Sequence, residues 1–175
     1  MWEVKYHAAK VYAKLPDRNA ETLLRRLLAD SNALVRLSAA EALIEMGDAS
    51  CYEVIERLLD EKAPAVHAAA VAALAGLGTE PALDTMERAL AREKDPGLKL
   101  EMAGRLRENR RDIGLEELRD GLQHENPFIR QTAIKVAGNL GTELELMLLR
   151  EALAGEPDEF LRTQIEKTLQ GSGRG

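Results

Sequence analysis

The sequence predicts an all-α solenoid: antiparallel helix pairs in series, about eleven helices, expected to wind into a right-handed superhelix. Three observations predict it. An apolar anchor recurs at Val4, Val35, Val66, Leu98, Ile129 and Leu161, in steps of 31, 31, 32, 31 and 32 residues. Each anchor opens an apolar run whose spacing is helical, not the alternation of a strand. Gly47, Gly78, Gly141 and Gly173 then close four of the six runs, where a left-handed cap costs Gly least. A unit of this length cannot bury its apolar face alone, so neighbouring units must stack to make a core.

The elements follow in order. Residues 2–16 read as a half-repeat, one helix anchored at Val4, with Trp2, Tyr6 and Tyr12 covering the first repeat. Five full repeats follow, about 19–47, 49–78, 80–110, 112–141 and 143–170. Each holds a first helix (A) and a second helix (B). The A helices carry one apolar column at Leu23, Val54, Met86, Leu118 and Leu149, and another four residues on at Leu27, Leu58, Leu90, Leu122 and Leu153. The B helices turn inward at the anchor and at positions +4, +5 and +8, such as Val35, Ala39, Ala40 and Leu43. Pro64, Pro96 and Pro127 stand two residues before their anchors, in the first helical turn, where a missing N–H has no partner to lose. Asp95 and Asn126 precede Pro as N-caps. No composition break divides 1–170, which reads as a single repeat domain, and 171–175 reads as a flexible tail.

Composition narrows the function classes. A net charge of -6 disfavours nucleic acid, whose binding rests on Lys and Arg displacing counterions from phosphates. Cys51 is the single cysteine, so neither an intramolecular disulfide nor a Cys-based zinc site is open to the chain. It shares an A-helix column with Ala20, Leu83, Leu115 and Leu146 and reads as a core thiol. No apolar run approaches the ~18 residues that span a bilayer, and the N-terminus lacks a signal-peptide pattern. A soluble, cytoplasmic protein is expected, monomeric and without a cofactor.

The stretch from Asp30 to Asp48, DSNALVRLSAAEALIEMGD, resembles the HEAT repeat. Its nearest form is the short PBS-lyase HEAT-like repeat: Asp, four residues, Val-Arg, then Ala-Ala, then Leu-Gly. The stretch from Glu125 to Gly141 matches the same pattern, and the resemblance covers about residues 4–170. The third repeat departs from it: Arg110 replaces the closing Gly, and Arg105, Arg107 and Arg111 crowd its B helix. Relatives of this kind include chromophore lyases and their subunits, DNA glycosylases and adaptors, so the resemblance bears on fold more than on function.

In HEAT-like arrays acid and base positions pair between neighbouring repeats. That implies a structural ladder of Asp30, Arg36, Glu61, His67, Glu93, Lys99, Arg130, Glu156 and Arg162, with Lys5 at its start and His124 interrupting the acids. The B helices of such folds line a concave face. Positions +2, +3, +6 and +9 then point outward and give a partner-binding strip of Leu37, Glu41, Ile44, Ala68, Ala72, Leu100, Glu101, Arg107, Gln131 and Lys135. The shallow, Ala-floored strip suits a partner helix or extended peptide. Lys94, Lys99, Arg105, Arg107, Arg110 and Arg111 form the densest basic cluster, either a docking spot for an acidic group or a solvated face.

No catalytic, metal or cofactor residues are expected. His7, His67 and His124 lie far apart without ligand-spaced partners, and no Gly-rich phosphate loop precedes a helix. The expected function is a non-enzymatic scaffold or adaptor that binds another protein or a peptide. Two alternatives compete. A phycobiliprotein-type chromophore lyase or lyase subunit would want aromatic and polar groups where the central B helices carry Ala. An alkylpurine-glycosylase-type DNA-binding protein would want a basic, aromatic face.

Overall fold

The computed structural model describes residues 1–14, 18–61 and 63–172. Among them lie eleven α-helices and one 3-10 turn, with no strand. Pro16, Gly173 and the remainder of the expected tail lie outside the described residues. The chain resolves into two compact units, Met1–Ala89 and Leu90–Gly175.

The first unit holds α1 (Trp2–Tyr12), α2 (Arg18–Leu27), α3 (Ala33–Glu45), the 3-10 turn Ala49–Cys51, α4 (Tyr52–Leu59), α5 (Pro64–Leu77) and most of α6 (Glu80–Arg92). The second holds α7 (Pro96–Glu108), α8 (Leu115–Leu122), α9 (Pro127–Leu140), α10 (Glu143–Gly155) and α11 (Glu159–Ser172). Helices A are thus α2, α4, α6, α8 and α10, and helices B are the odd-numbered ones. The last helix runs through Gly171 and Ser172, two residues into the stretch expected as tail.

Local chemistry starts and stops these helices where the pattern says. Asn32, Asp95 and Asn126 cap α3, α7 and α9, each side chain accepting from a first-turn backbone N–H at 2.9 Å. Pro64, Pro96 and Pro127 are the first residues of α5, α7 and α9. Gly47, Gly78 and Gly141 end the B helices at φ 97°, 58° and 60°. Arg110 takes the same place in the third repeat and the same left-handed backbone, φ 62°. Its N–H bonds Arg107 O at 2.9 Å and the next N–H bonds Leu106 O at 3.0 Å. These bonds reproduce those that Gly47 and Asp48 make to Ile44 and Leu43.

Packing is between sequence neighbours. In the first unit α3 packs on α1, α2, α4 and α5; in the second α9 packs on α7, α8, α10 and α11. The buried A-helix column is Leu24, Ile55, Met86, Leu118 and Leu149, all fully inaccessible. This corrects the expected Leu23 and Val54 by one residue: Leu23 is 40% exposed. The slip arises because the extra residue of a 32-residue step lies in the A–B loop. Eleven residues separate Leu24 from Val35, Ile55 from Val66 and Leu118 from Ile129, but twelve separate Met86 from Leu98 and Leu149 from Leu161.

Glycine sets the spacing between elements of the second unit. A Cβ on Gly104 of α7 would stand 2.8 Å from Val136 of α9, and one on Gly138 of α9 would stand 2.8 Å from Thr168 of α11. Side chains there would push the B helices apart.

Charged residues tie the repeats together. Lys5 pairs with Asp30 at 2.6 Å, Arg36 with Glu61 at 2.5 Å and Arg130 with Glu156 at 2.9 Å, in each case base to the acid of the next repeat. Arg36 also donates to the carbonyls of Asp30 and Ser31, as Arg130 does to those of His124 and Glu125. One guanidinium thus closes its own hairpin loop and holds the next. His67 is buried and its Nδ1 lies 2.9 Å from Leu59 O. Glu93 and Glu156 each accept a backbone N–H two residues on, from Asp95 and Asp158. His124 does the same backbone work, its Nδ1 accepting from Asn126 N at 3.0 Å, which makes the Nε2-protonated neutral ring the form that fits. Lys99 and His124 line one hollow together with Lys94, Glu116, Glu117 and Asp120. Arg162 is exposed.

Candidate functional site

A B helix inside a stack has two neighbours of its own kind, and both cover its flanks. The stripe that remains accessible is narrow: positions -1, +3, +6 and +10 from the anchor, which lie within about 60° of one another on a helical wheel. In the first unit these are Glu3, His7 and Lys10 on α1 with Lys14 just past its end, Leu34, Glu41 and Glu45 on α3, where Ser38 at +3 is buried, and Ala65, Ala69, Ala72 and Gly76 on α5. In the second they are Gly97, Glu101 and Glu108 on α7, where Gly104 at +6 is buried, Phe128, Thr132, Lys135 and Asn139 on α9, and Phe160, Gln164, Lys167 and Gly171 on α11.

Several expected strip residues lie elsewhere. Leu37 and Leu100, at +2, are 2% and 1% exposed. They belong to the core, and Leu100 fills the space left by Gly121 of α8. Their expected place on the outer surface is corrected: on α3 and α7 position +2 lies on a covered flank, whereas Gln131, at +2 of α9, is half-buried. Arg107, at +9, is also inward. Its guanidinium pairs with the fully buried Glu145 of α10, which also accepts from Thr142. Burial pushes the Glu145 carboxyl up, but the hydrogen bonds from Thr142 and Arg107 outweigh it and hold the group below its ordinary range. Ile44 and Ala68 are half-buried, and Ala72 is exposed. The basic cluster is dispersed: Arg107 is half-buried against Glu145, Arg105 pairs with Glu108 at 2.9 Å, and Arg110 serves as a helix cap.

Glu41, Glu101, Gln131 and Lys135 do line the outer face, each in a furrow between successive B helices. Between α1 and α3 a furrow of about 490 Å³ sets His7, Lys10 and Lys14 against Glu41 and Glu45. Burial raises the Glu41 carboxyl above its ordinary range, opposed by Lys10 and assisted by Glu45. Between α7 and α9 a furrow of about 340 Å³ carries Glu101, Glu108, Thr132 and Lys135. Between α9 and α11 the widest, about 820 Å³, is lined by Gln131, Thr132, Lys135, Asn139, Gln164 and Lys167 with Gly138 and Gly171. Phe128 and Phe160, 75% and 62% exposed, open α9 and α11 at equivalent positions one turn before those lining residues. Positions -1 and +10, and the whole α11 stripe, were outside the expected strip; extending the helical count to the last repeat would have found them.

Other chemistry-bearing groups are engaged in structure. Cys51 is buried and free, and burial raises its thiol above the ordinary range. No group of three or more His, Cys, Asp or Glu placed to hold a metal occurs among the described residues. Within those residues no helix is long and apolar enough to cross a membrane.

The profile of the HEAT repeats family matches residues 1–75, 22–106 and 89–170, so together the matches cover nearly the whole sequence. The chain belongs to the HEAT-repeat family. No curated protein matches it. Solved structures similar to it include the CpcE–CpcF complex of phycocyanin lyase from Nostoc sp. PCC7120, at 17% identity and TM-score 0.44 over 95% of this chain and 73% of that one. Human deoxyhypusine hydroxylase with glycerol is similar at 17% identity and TM-score 0.45, over 100% and 81%. An engineered protein follows at 16% identity and TM-score 0.49, over 98% and 90%. Likeness at this level concerns fold alone.

Proposed function

We propose that this chain is a non-enzymatic interaction module that binds another protein or a peptide along the outer stripe of its B helices. The observation that carries the reading is the furrowing of that stripe. In each unit, successive B helices leave a polar channel between them, on rigid elements, with side chains directed to solvent. Repeat folds supply such extended surfaces without a chemical centre. The groups that would otherwise suggest chemistry are committed elsewhere: Cys51 and His67 to the core, His124 to a backbone N–H.

The test places a photo-crosslinking amino acid at one position at a time, in the full-length protein in its native cells. Glu41, Glu101 and Lys135 sample the B-helix stripe; Arg57 and Glu151 sample exposed A-helix positions. A discrete adduct from the stripe positions alone supports the reading. Adducts from Arg57 or Glu151 alone refute it.

A further inference from the structure

We infer that the α9–α11 furrow is a seat for an extended acidic peptide segment carrying a large apolar side chain. The inference rests on the proposed role of the B-helix stripe and names the partner chemistry of one part of it. Three observations converge on this channel.

The first is charge. The chain is acidic overall, at net -6, yet the lining of this furrow contains Lys135 and Lys167 and no carboxylate. Among the described residues neither lysine enters an ion pair, whereas Arg25, Arg36, Arg88, Arg105, Arg107 and Arg130 all do. The α1–α3 furrow differs, because its own Glu41 and Glu45 face Lys10 and Lys14. The α7–α9 furrow differs too: Glu101 and Glu108 balance Arg105 and Lys135 in its wall, and Arg105 is paired with Glu108. An acidic segment is therefore attracted to the α9–α11 channel, whose lining alone is purely basic among these three furrows, more than to the charge-balanced channels.

The second is hydrogen-bonding capacity. Gln131, Asn139 and Gln164 line the same channel. Each amide offers both a donor and an acceptor, the complement of a peptide backbone that has both to satisfy. The glycines keep the channel open. Gly138 admits α11 close to α9, and a Cβ at Gly171 would meet nothing within 4 Å. At about 820 Å³ the space matches a short peptide stretch rather than a single small ion.

The third is the aromatic pair one helical turn before the residues that line it. Phe128 and Phe160 are among the most exposed large apolar residues of the molecule and occupy the same register on adjacent helices. Exposed rings beside a polar channel are what an anchoring apolar side chain uses, while flanking charges orient it. Lysines alone would fit a phosphate as well. The rings and amides together favour a peptide.

The experiment selects a random twelve-residue peptide library on phage against the full chain. Enriched peptides are made with a fluorescein label and titrated by anisotropy. Five proteins are compared: wild type, Lys135→Glu/Lys167→Glu, Phe128→Ala/Phe160→Ala, Glu41→Ala/Glu45→Ala in another furrow of the stripe, and Arg57→Ala/Glu151→Ala on the exposed A-helix side as the control. All substituted positions lie at the surface or in the furrows, and circular dichroism melts verify folding. Enriched peptides are expected to be net acidic with at least one aromatic or large aliphatic residue. Their affinity should fall tenfold or more with the lysine reversals and severalfold with the ring truncations, and hold with the control. Neutral or basic enriched peptides, or acidic ones that keep full affinity for the lysine variant, overturn the inference. Peptides that depend on Glu41 and Glu45 instead overturn it while leaving the B-helix stripe as the binding face. No enriched binder at all removes both.

Discussion

Replacing Arg110 with Gly should stabilise the protein, although it deletes a charged side chain from a helix end. Arg110 is held at φ 62°, the conformation that Gly47, Gly78 and Gly141 adopt at the same point of their repeats. A side chain in that region costs roughly 1–2 kcal/mol. Glycine removes this cost but is freer in the unfolded chain, which returns roughly 0.4–1 kcal/mol. The net gain is about 0.5–1 kcal/mol, offset only by the solvent-screened attraction of an exposed cation to the helix C-terminus: the Arg110 side chain is exposed and makes no hydrogen bond or ion pair among the described residues. For a chain of this size the gain is a rise in Tm of roughly 1–4 °C. The assay is thermal unfolding followed by circular dichroism, with Arg110→Ala and Gly141→Ala alongside. Arg110→Ala keeps the backbone strain and should change little. Gly141→Ala imports the strain and should cost about 1 kcal/mol, since the space around it is open and only the backbone objects. Equal melting of Arg110→Gly and Arg110→Ala would refute the reasoning.

The remaining predictions follow from burial and its sign. Arg130→Ala should cost about 3–5 kcal/mol, because it strands the buried Glu156 carboxylate; Arg36→Ala, whose partner Glu61 is 39% exposed, should cost only about 1 kcal/mol, both read by urea denaturation. Glu145→Gln should destabilise at pH 7, since the wild-type carboxyl sits below its ordinary range and its stabilising contribution is full above about pH 4.3; the deficit should shrink as the pH falls through the folded-state value. Glu41→Gln should do the reverse. Its raised carboxyl weakens the fold when ionised, so the variant should gain at pH 7 and converge on wild type below about pH 4 in the same melts.

Period and capping residues made the architecture legible. Asn32, Asp95, Asn126 and the three first-turn prolines fix helix starts through contacts a few residues long, and such local contacts are written in the sequence. The A-helix column slipped at Leu23 and Val54 because a 31- or 32-residue step does not reveal where its extra residue sits, and only burial of Leu24 and Ile55 locates it in the loop. The outer stripe was half legible. Glu41, Glu101, Gln131 and Lys135 follow from the helical wheel of one helix. Leu37 and Leu100 did not, because a lone amphipathic helix has one buried face whereas a stacked B helix also buries both flanks. Arg107 was illegible for another reason: its partner Glu145 is 38 residues away, and no pattern within one repeat announces that pairing.

The most direct measurement is the backbone amide NMR spectrum of the full chain titrated with a peptide selected against it. Shifts concentrated on Gln131, Thr132, Lys135, Asn139, Gln164 and Lys167, with the exposed faces of α2, α4, α8 and α10 silent, are the expected result. Shifts confined to the A helices, or spread evenly through both units, would contradict the assignment of the B-helix stripe as the binding face.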